Sequence, residues 1–176
     1  MSAVETAATR WYPKSVGAKA THRERLELVH PEFTSKLVDA GGEACVQVVA
    51  KELAGVVKAQ AKYLSFLDKF MPGPPQPRPL LWLAVPWSDK AWLEKAMKRI
   101  YEHRSKALHE SIPFPPAMCA APVQTAAGPA SAWSERPGAA YVQQAGGMWP
   151  GEDLPILLST FEYIVRSALQ SWWRSL

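Results

Sequence analysis

The stretch Glu43–Met71, EACVQVVAKELAGVVKAQAKYLSFLDKFM, decides the fold class. Val46, Val49, Leu53, Val56, Val57, Leu64, Leu67 and Met71 recur at three- and four-residue steps, so at about 100° per residue they share one stripe. That spacing predicts a single helix of roughly 40 Å, taking 1.5 Å per residue, with its apolar side turned into a core. Gly55 weakens the helix by up to about 1 kcal/mol relative to alanine, and its missing side chain lets a neighbouring helix come close.

Toward the N-terminus, Thr21 is placed to cap a short helix through Val29. Pro31 suits the first turn of another running to about Ala40, which Gly41 and Gly42 end. Residues 1–20 carry Arg10, Lys14 and Lys19 against one acid, Glu5, with no hydrophobic period, and are expected to form an irregular arm. Pro13 and Gly17 oppose the basic amphipathic helix that a transit peptide needs.

Toward the C-terminus, the run PGPPQPRP from Pro72 to Pro79 cannot continue a helix and predicts an extended polyproline spacer. Leu80 to Val85 is apolar but too short for period to separate strand from buried coil. Ser88 is placed to cap a helix reaching about Glu110, with Leu93, Ala96, Met97, Ile100, Ala107 and Leu108 inward. Pro155 opens a last helix whose apolar side holds Leu157, Leu158, Phe161, Ile164, Val165, Ala168, Leu169 and Trp172. Between these two helices, Ser111 to Gly151 contains seven prolines and two charges, Glu135 and Arg136. A segment that long and irregular fits poorly inside a compact domain. Its lack of charge is also unlike a solvated linker, so it is expected to lie along another surface.

The fold expected is therefore all-α: a small helical bundle of three long helices plus short N-terminal helices, in a single domain. Its parts are an irregular arm (1–20), a helical core (21–110), a Pro-rich extended segment (111–151) and a C-terminal helix packed on the core (152–176). Composition agrees with this. The 176 residues carry a formal charge of +4 and are 48% hydrophobic, which excludes collagen and wholesale disorder. No Pro-free apolar run reaches the about 18 residues of a membrane span. Cys45 and Cys119 lie far apart in a chain with no secretory signal, and are expected to be reduced thiols in an intracellular compartment.

Catalytic and cofactor motifs are missing. GxSxG, HExxH, Walker and GxGxxG patterns do not occur, and the Gly41-Gly42 and Gly146-Gly147 pairs lack the rest of a phosphate-binding loop. His103 and His109 stand six residues apart, about 120° out of alignment on one helix, so they do not share a metal ion unaided. Cys45 falls in the first turns of the long helix, where a thiol pKa is lowered; flanked by small and apolar residues, it reads better as a core position. The expectation is a protein that is not an enzyme and has no cofactor.

Two features suggest partners. Lys51, Lys58, Lys62 and Lys69 fall within about 40° of one line on the predicted long helix, and Lys95, Lys98, Arg99 and Lys106 form a second row interrupted by Glu102. Such rows can track a phosphate backbone without reading sequence. Solvated helix faces carry Lys and Glu for solubility alone, and no aromatic side chain joins either row. The aromatic residues favour a different reading. Trp11, Trp133 and Trp149 sit in segments with no periodic structure to bury them, Trp173 lies at the edge of the last apolar stripe, and Tyr163 lies opposite it. Large aromatics of this kind anchor protein contacts. The function expected is a non-catalytic structural subunit of a larger assembly that contacts other protein subunits through Trp11, Trp133, Trp149, Tyr163 and Trp173. The alternative is a helical subunit binding RNA or DNA backbone through the two basic rows.

Overall fold

The computed structural model describes residues 3–14, 16–125, 132–138 and 156–176. They contain six α-helices and one two-stranded ladder, so the protein is all-α. The chain divides into two compact units, Met1–Phe70 and Met71–Leu176. The boundary falls inside the stretch 21–110 that the sequence reads as one helical core, at the edge of the run Pro72–Pro79 that no helix can cross.

In the first unit, α1 (Ala3–Trp11) occupies the region expected to be an irregular arm. Val4, Ala7, Ala8 and Trp11 stand at i, i+3, i+4 and i+7, a helical period made faint by the small apolar area of alanine. The first three are buried, and Glu5 in the first turn and Arg10 in the last complement the helix dipole. Helix α1 packs on α4 (Ala54–Phe70), where the edge of the Trp11 ring meets Phe66 at 5.9 Å and Phe70 at 5.6 Å between centroids.

Thr21 caps α2 (His22–Val29) as expected, and Glu24 completes a capping box. The Thr21 N–H donates to Glu24 Oε2 at 2.6 Å, and the Glu24 N–H donates to Thr21 Oγ1 at 3.2 Å. The hydrogen bonds from the Thr21 backbone, then from its hydroxyl, hold the Glu24 carboxyl below the usual range. Helix α2 packs on α3 (Pro31–Glu52) and α4 through the buried Leu26 and Val29.

Helix α3 is bent at Gly42, whose φ of 66° belongs to the left-handed region open to glycine. Gly41 is needed for a different reason: a Cβ there would lie 2.7 Å from Cys45 Cβ. The single long helix expected over 43–71 is corrected. It breaks at Leu53 (φ −86°, ψ 2°), which ends α3, and α4 begins at the next residue. The break turns the apolar stripe. Val46, Val57, Leu64 and Leu67 are buried, whereas Leu53 is 38% and Val56 66% exposed. Gln60, Ala61, Phe66 and Phe70 join the inner side of α4 instead.

In the second unit, Pro72–Pro79 is irregular and bends at Gln76-Pro77, where the peptide bond is cis. Leu81–Leu83 is a short 3-10 turn rather than a strand. Helix α5 (Lys90–His109) starts one residue later than expected because Asp89, not Ser88, is its cap: Asp89 Oδ1 accepts from the Trp92 N–H at 3.0 Å. Leu93, Met97 and Ile100 form its buried side. Strand β1 (Gln124–Thr125) pairs antiparallel with β2 (Ala132–Trp133), Gln124 opposite Trp133. The last helix, α6 (Leu158–Arg174), follows Leu157 and buries Thr160, Ile164 and Ala168 at four-residue steps. Pro155, expected to open it, lies outside the described residues.

Candidate functional site

In the second unit, Glu135 joins several segments that are far apart in sequence. The residue is 2% exposed, and one carboxylate oxygen, Oε2, accepts from the Val85 N–H at 2.6 Å and from the Trp87 indole N–H at 2.9 Å. Arg78 Nη2 lies 3.4 Å from the same oxygen and donates to the Val85 carbonyl at 2.9 Å. The other oxygen, Oε1, is buried with no hydrogen-bond partner. The backbone adds to the connection. The Glu135 N–H donates to the Leu83 carbonyl at 2.9 Å, and its own carbonyl accepts from the Leu157 N–H at 3.1 Å and from Thr160 Oγ1 at 3.0 Å. One residue of the Pro-rich segment therefore ties together the Leu81–Leu83 turn, the proline run and the start of α6.

The expectation that 111–151 lacks structure of its own is corrected for its described residues. Ala117, Met118, Thr125, Ala132, Ser134, Glu135 and Pro137 are buried. The Ser134 N–H donates to the Val123 carbonyl at 2.8 Å and the Leu158 N–H to the Met118 carbonyl at 2.8 Å. An ionised side chain buried in an apolar segment is costly unless hydrogen bonded, and this one draws its donors from elsewhere in the unit.

Two open clefts flank this connection. The first, of about 320 Å³, is lined by Pro75, Pro122, Trp133, Ser134, Glu135, Ser159, Thr160 and Tyr163. Trp133 is 59% exposed. Tyr163 donates its hydroxyl to the Gly73 carbonyl at 3.0 Å and stands edge-on to Trp87 at 6.1 Å. The second cleft, of about 620 Å³, is lined by Pro74, Arg78, Ala84, Val85, Pro86, Trp87, Ser88 and Arg136. The Arg136 guanidinium lies over the Trp92 ring, 5.3 Å from its centroid, and burial pushes its pKa down.

The aromatic residues singled out from sequence meet different fates. Trp133 and Tyr163 line one cleft. Trp173, in the last turn of α6, is 71% exposed. Trp11 is half-buried against Phe66 and Phe70 within the first unit. Trp149 lies outside the described residues.

Of the two basic rows, the first loses one member to another helix and the second lies on a single helix. Lys51 belongs to α3, and the break at Leu53 separates it from Lys58, Lys62 and Lys69 on α4. Lys95, Lys98, Arg99 and Lys106 belong to α5 in the second unit, and Lys98 pairs with Glu94 at 2.8 Å. Glu135, Arg136 and Arg78 were not singled out from sequence. The available signal was the isolation of Glu135 and Arg136 as the two charges in a long apolar, Pro-rich stretch.

Among the described residues, no group of three or more His, Cys, Asp or Glu side chains is placed to hold a metal ion. No helix among them is long and apolar enough to cross a membrane. No family model, no curated protein and no solved structure matches the chain.

Proposed function

We propose that the chain is a non-catalytic structural subunit of a larger assembly, held to neighbouring protein subunits by aromatic anchors on its second unit. The observation that carries the reading is Trp133, a large side chain left 59% exposed on a two-residue strand beside a cleft that Tyr163 also lines. Trp173 offers a second exposed indole. Tryptophan and tyrosine supply large contact area with few rotatable bonds, which is why they dominate the energetics of protein interfaces. The hydrogen bonds around Glu135 give Trp133 a rigid base two residues away, so little conformational freedom is lost on docking.

The test is purification of the intact protein with its native partners, followed by mass spectrometry, with and without nuclease. Co-purifying subunits should survive nuclease and be lost from Trp133→Ala and Trp173→Ala while helical content is unchanged. A wild-type protein that purifies alone would overturn the reading. Partners released by nuclease would do so as well, because nucleic acid would then be what joins them.

A further inference from the structure

The Trp133 cleft has in its lining a carboxylate whose bonding is incomplete. Glu135 lines it, and the two oxygens of that side chain differ. Oε2 meets Val85, Trp87 and Arg78, whereas Oε1 is buried with no hydrogen-bond partner. A buried ionised oxygen without a donor is costly. Three hydroxyls that line the cleft are engaged elsewhere: Tyr163 donates to the Gly73 carbonyl, Thr160 donates to the Glu135 carbonyl, and Ser134 Oγ accepts from the Val123 N–H. A ligand that brings an N–H donor to Oε1 removes the cost.

The walls and the single open oxygen specify the donor. Arginine grips a carboxylate through a planar fork that uses two oxygens, and here Oε2 is already taken. Lysine ends in a compact ammonium suited to one oxygen. Its methylene stem packs along apolar surface, which Pro75, Pro122 and the largely exposed Trp133 provide in the same cleft. A volume of about 320 Å³ admits one such side chain and lies at the small end of ligand sites. One influence opposes a cation: Ser159 and Thr160, in the first turn of α6, line the cleft beside the positive end of the helix dipole. That effect is weaker than a charge-assisted hydrogen bond to a buried carboxylate. Oε1 is covered from solvent, so a lining side chain turns to admit the ammonium, and exposed side chains such as Trp133 change rotamer readily. We infer that the Trp133 cleft takes a lysine side chain from a neighbouring protein subunit, its ammonium donating to Glu135 Oε1 and its stem lying on Trp133. The inference rests on the assembly reading and names the chemistry of the contact.

The test is an NMR titration of the full chain with the peptide acetyl-Gly-Lys-Gly-amide, read at the amides of Ser134, Ser159 and Thr160. The peptide should shift all three, and its affinity should fall as ionic strength rises. Acetylating the lysine removes its charge, and trimethylating it keeps the charge but leaves no N–H. Each change should weaken binding by at least about tenfold, because the charge-assisted hydrogen bond is lost. An aromatic contact indifferent to Glu135 favours the trimethyl form instead, and that order of affinities would overturn the inference. Glu135→Gln should weaken the lysine peptide by about tenfold, and Trp133→Ala should weaken it in the same direction. An affinity unchanged in both variants, with each shown to be folded by circular dichroism, would overturn it too. Partners that co-purify while no peptide binds at millimolar concentration would remove this site and leave the assembly reading standing. Peptide binding by a chain that purifies alone would keep the site and remove the assembly reading.

Discussion

Phe66 and Glu135 hold their respective units by opposite means. Phe66 is fully buried and works through ring contacts with Trp11 and Phe70, an apolar attraction that tolerates many orientations. Glu135 is almost as buried, but works through directed contacts to donors at Val85, Trp87 and Arg78. The first unit is built from helices whose apolar periods meet. The second uses a carboxylate to fasten irregular chain, because prolines deprive that chain of backbone donors. Removal of an apolar contact leaves a cavity, whereas removal of the carboxylate leaves buried donors unpaired.

The largest expected effect comes from Phe66→Ala, which should cost about 3–5 kcal/mol. Hydrogen exchange should locate the lost protection in residues 1–70; an equal loss throughout 71–176 would break the contrast between the units. Next is Glu135→Gln, which keeps the shape but replaces the charged acceptor, at a cost of about 1–3 kcal/mol in denaturant unfolding. The exposure change should appear at Val85 and Trp87, read from their amide and indole exchange. If this variant is as stable as the wild type, the second unit is held by packing like the first.

Leu53→Ala should cost less than either, within about 1 kcal/mol, because Leu53 is half out of the core at the break between α3 and α4. A loss as large as that of Phe66→Ala would restore the continuous helix. The smallest effect is on pH dependence. Burial, then repulsion by Lys106, holds the His103 pKa below its ordinary 6.5. As pH falls through that value the unfolded chain takes up a proton that the folded one resists, so stability decreases until the lower folded value is passed. The urea midpoint of wild type should therefore drop more between pH 7.5 and 5.5 than that of His103→Gln; identical drops would remove His103 from the account.

The contrast also explains what could be read from sequence. Thr21, Gly42 and the stripes of α5 and α6 announced their elements, since caps, glycine and helical period are local signals. Helix α1 was missed because alanines are two of its three buried residues. The break at Leu53 was missed because the stripe runs on in sequence while the backbone turns. Trp133 and Tyr163 could be named singly, but a cleft shared by residues thirty apart has no local signature. Glu135 was visible only as an odd charge among prolines. Its donors lie about fifty residues upstream, and no periodicity links them.

That separation has a consequence during synthesis. Val85 and Glu135 are 50 residues apart, and a ribosome adding about 5–20 residues per second makes that interval roughly 3–10 s. Over that time the first unit has all of its own residues made, while the Val85 amide and the Trp87 indole have no carboxylate to meet. The exposed proline run and its neighbouring tryptophans, Trp82, Trp87 and Trp92, are then the part of the nascent chain most in need of a chaperone. A stall placed before Glu135 should prolong that need, and one placed after residue 176 should end it.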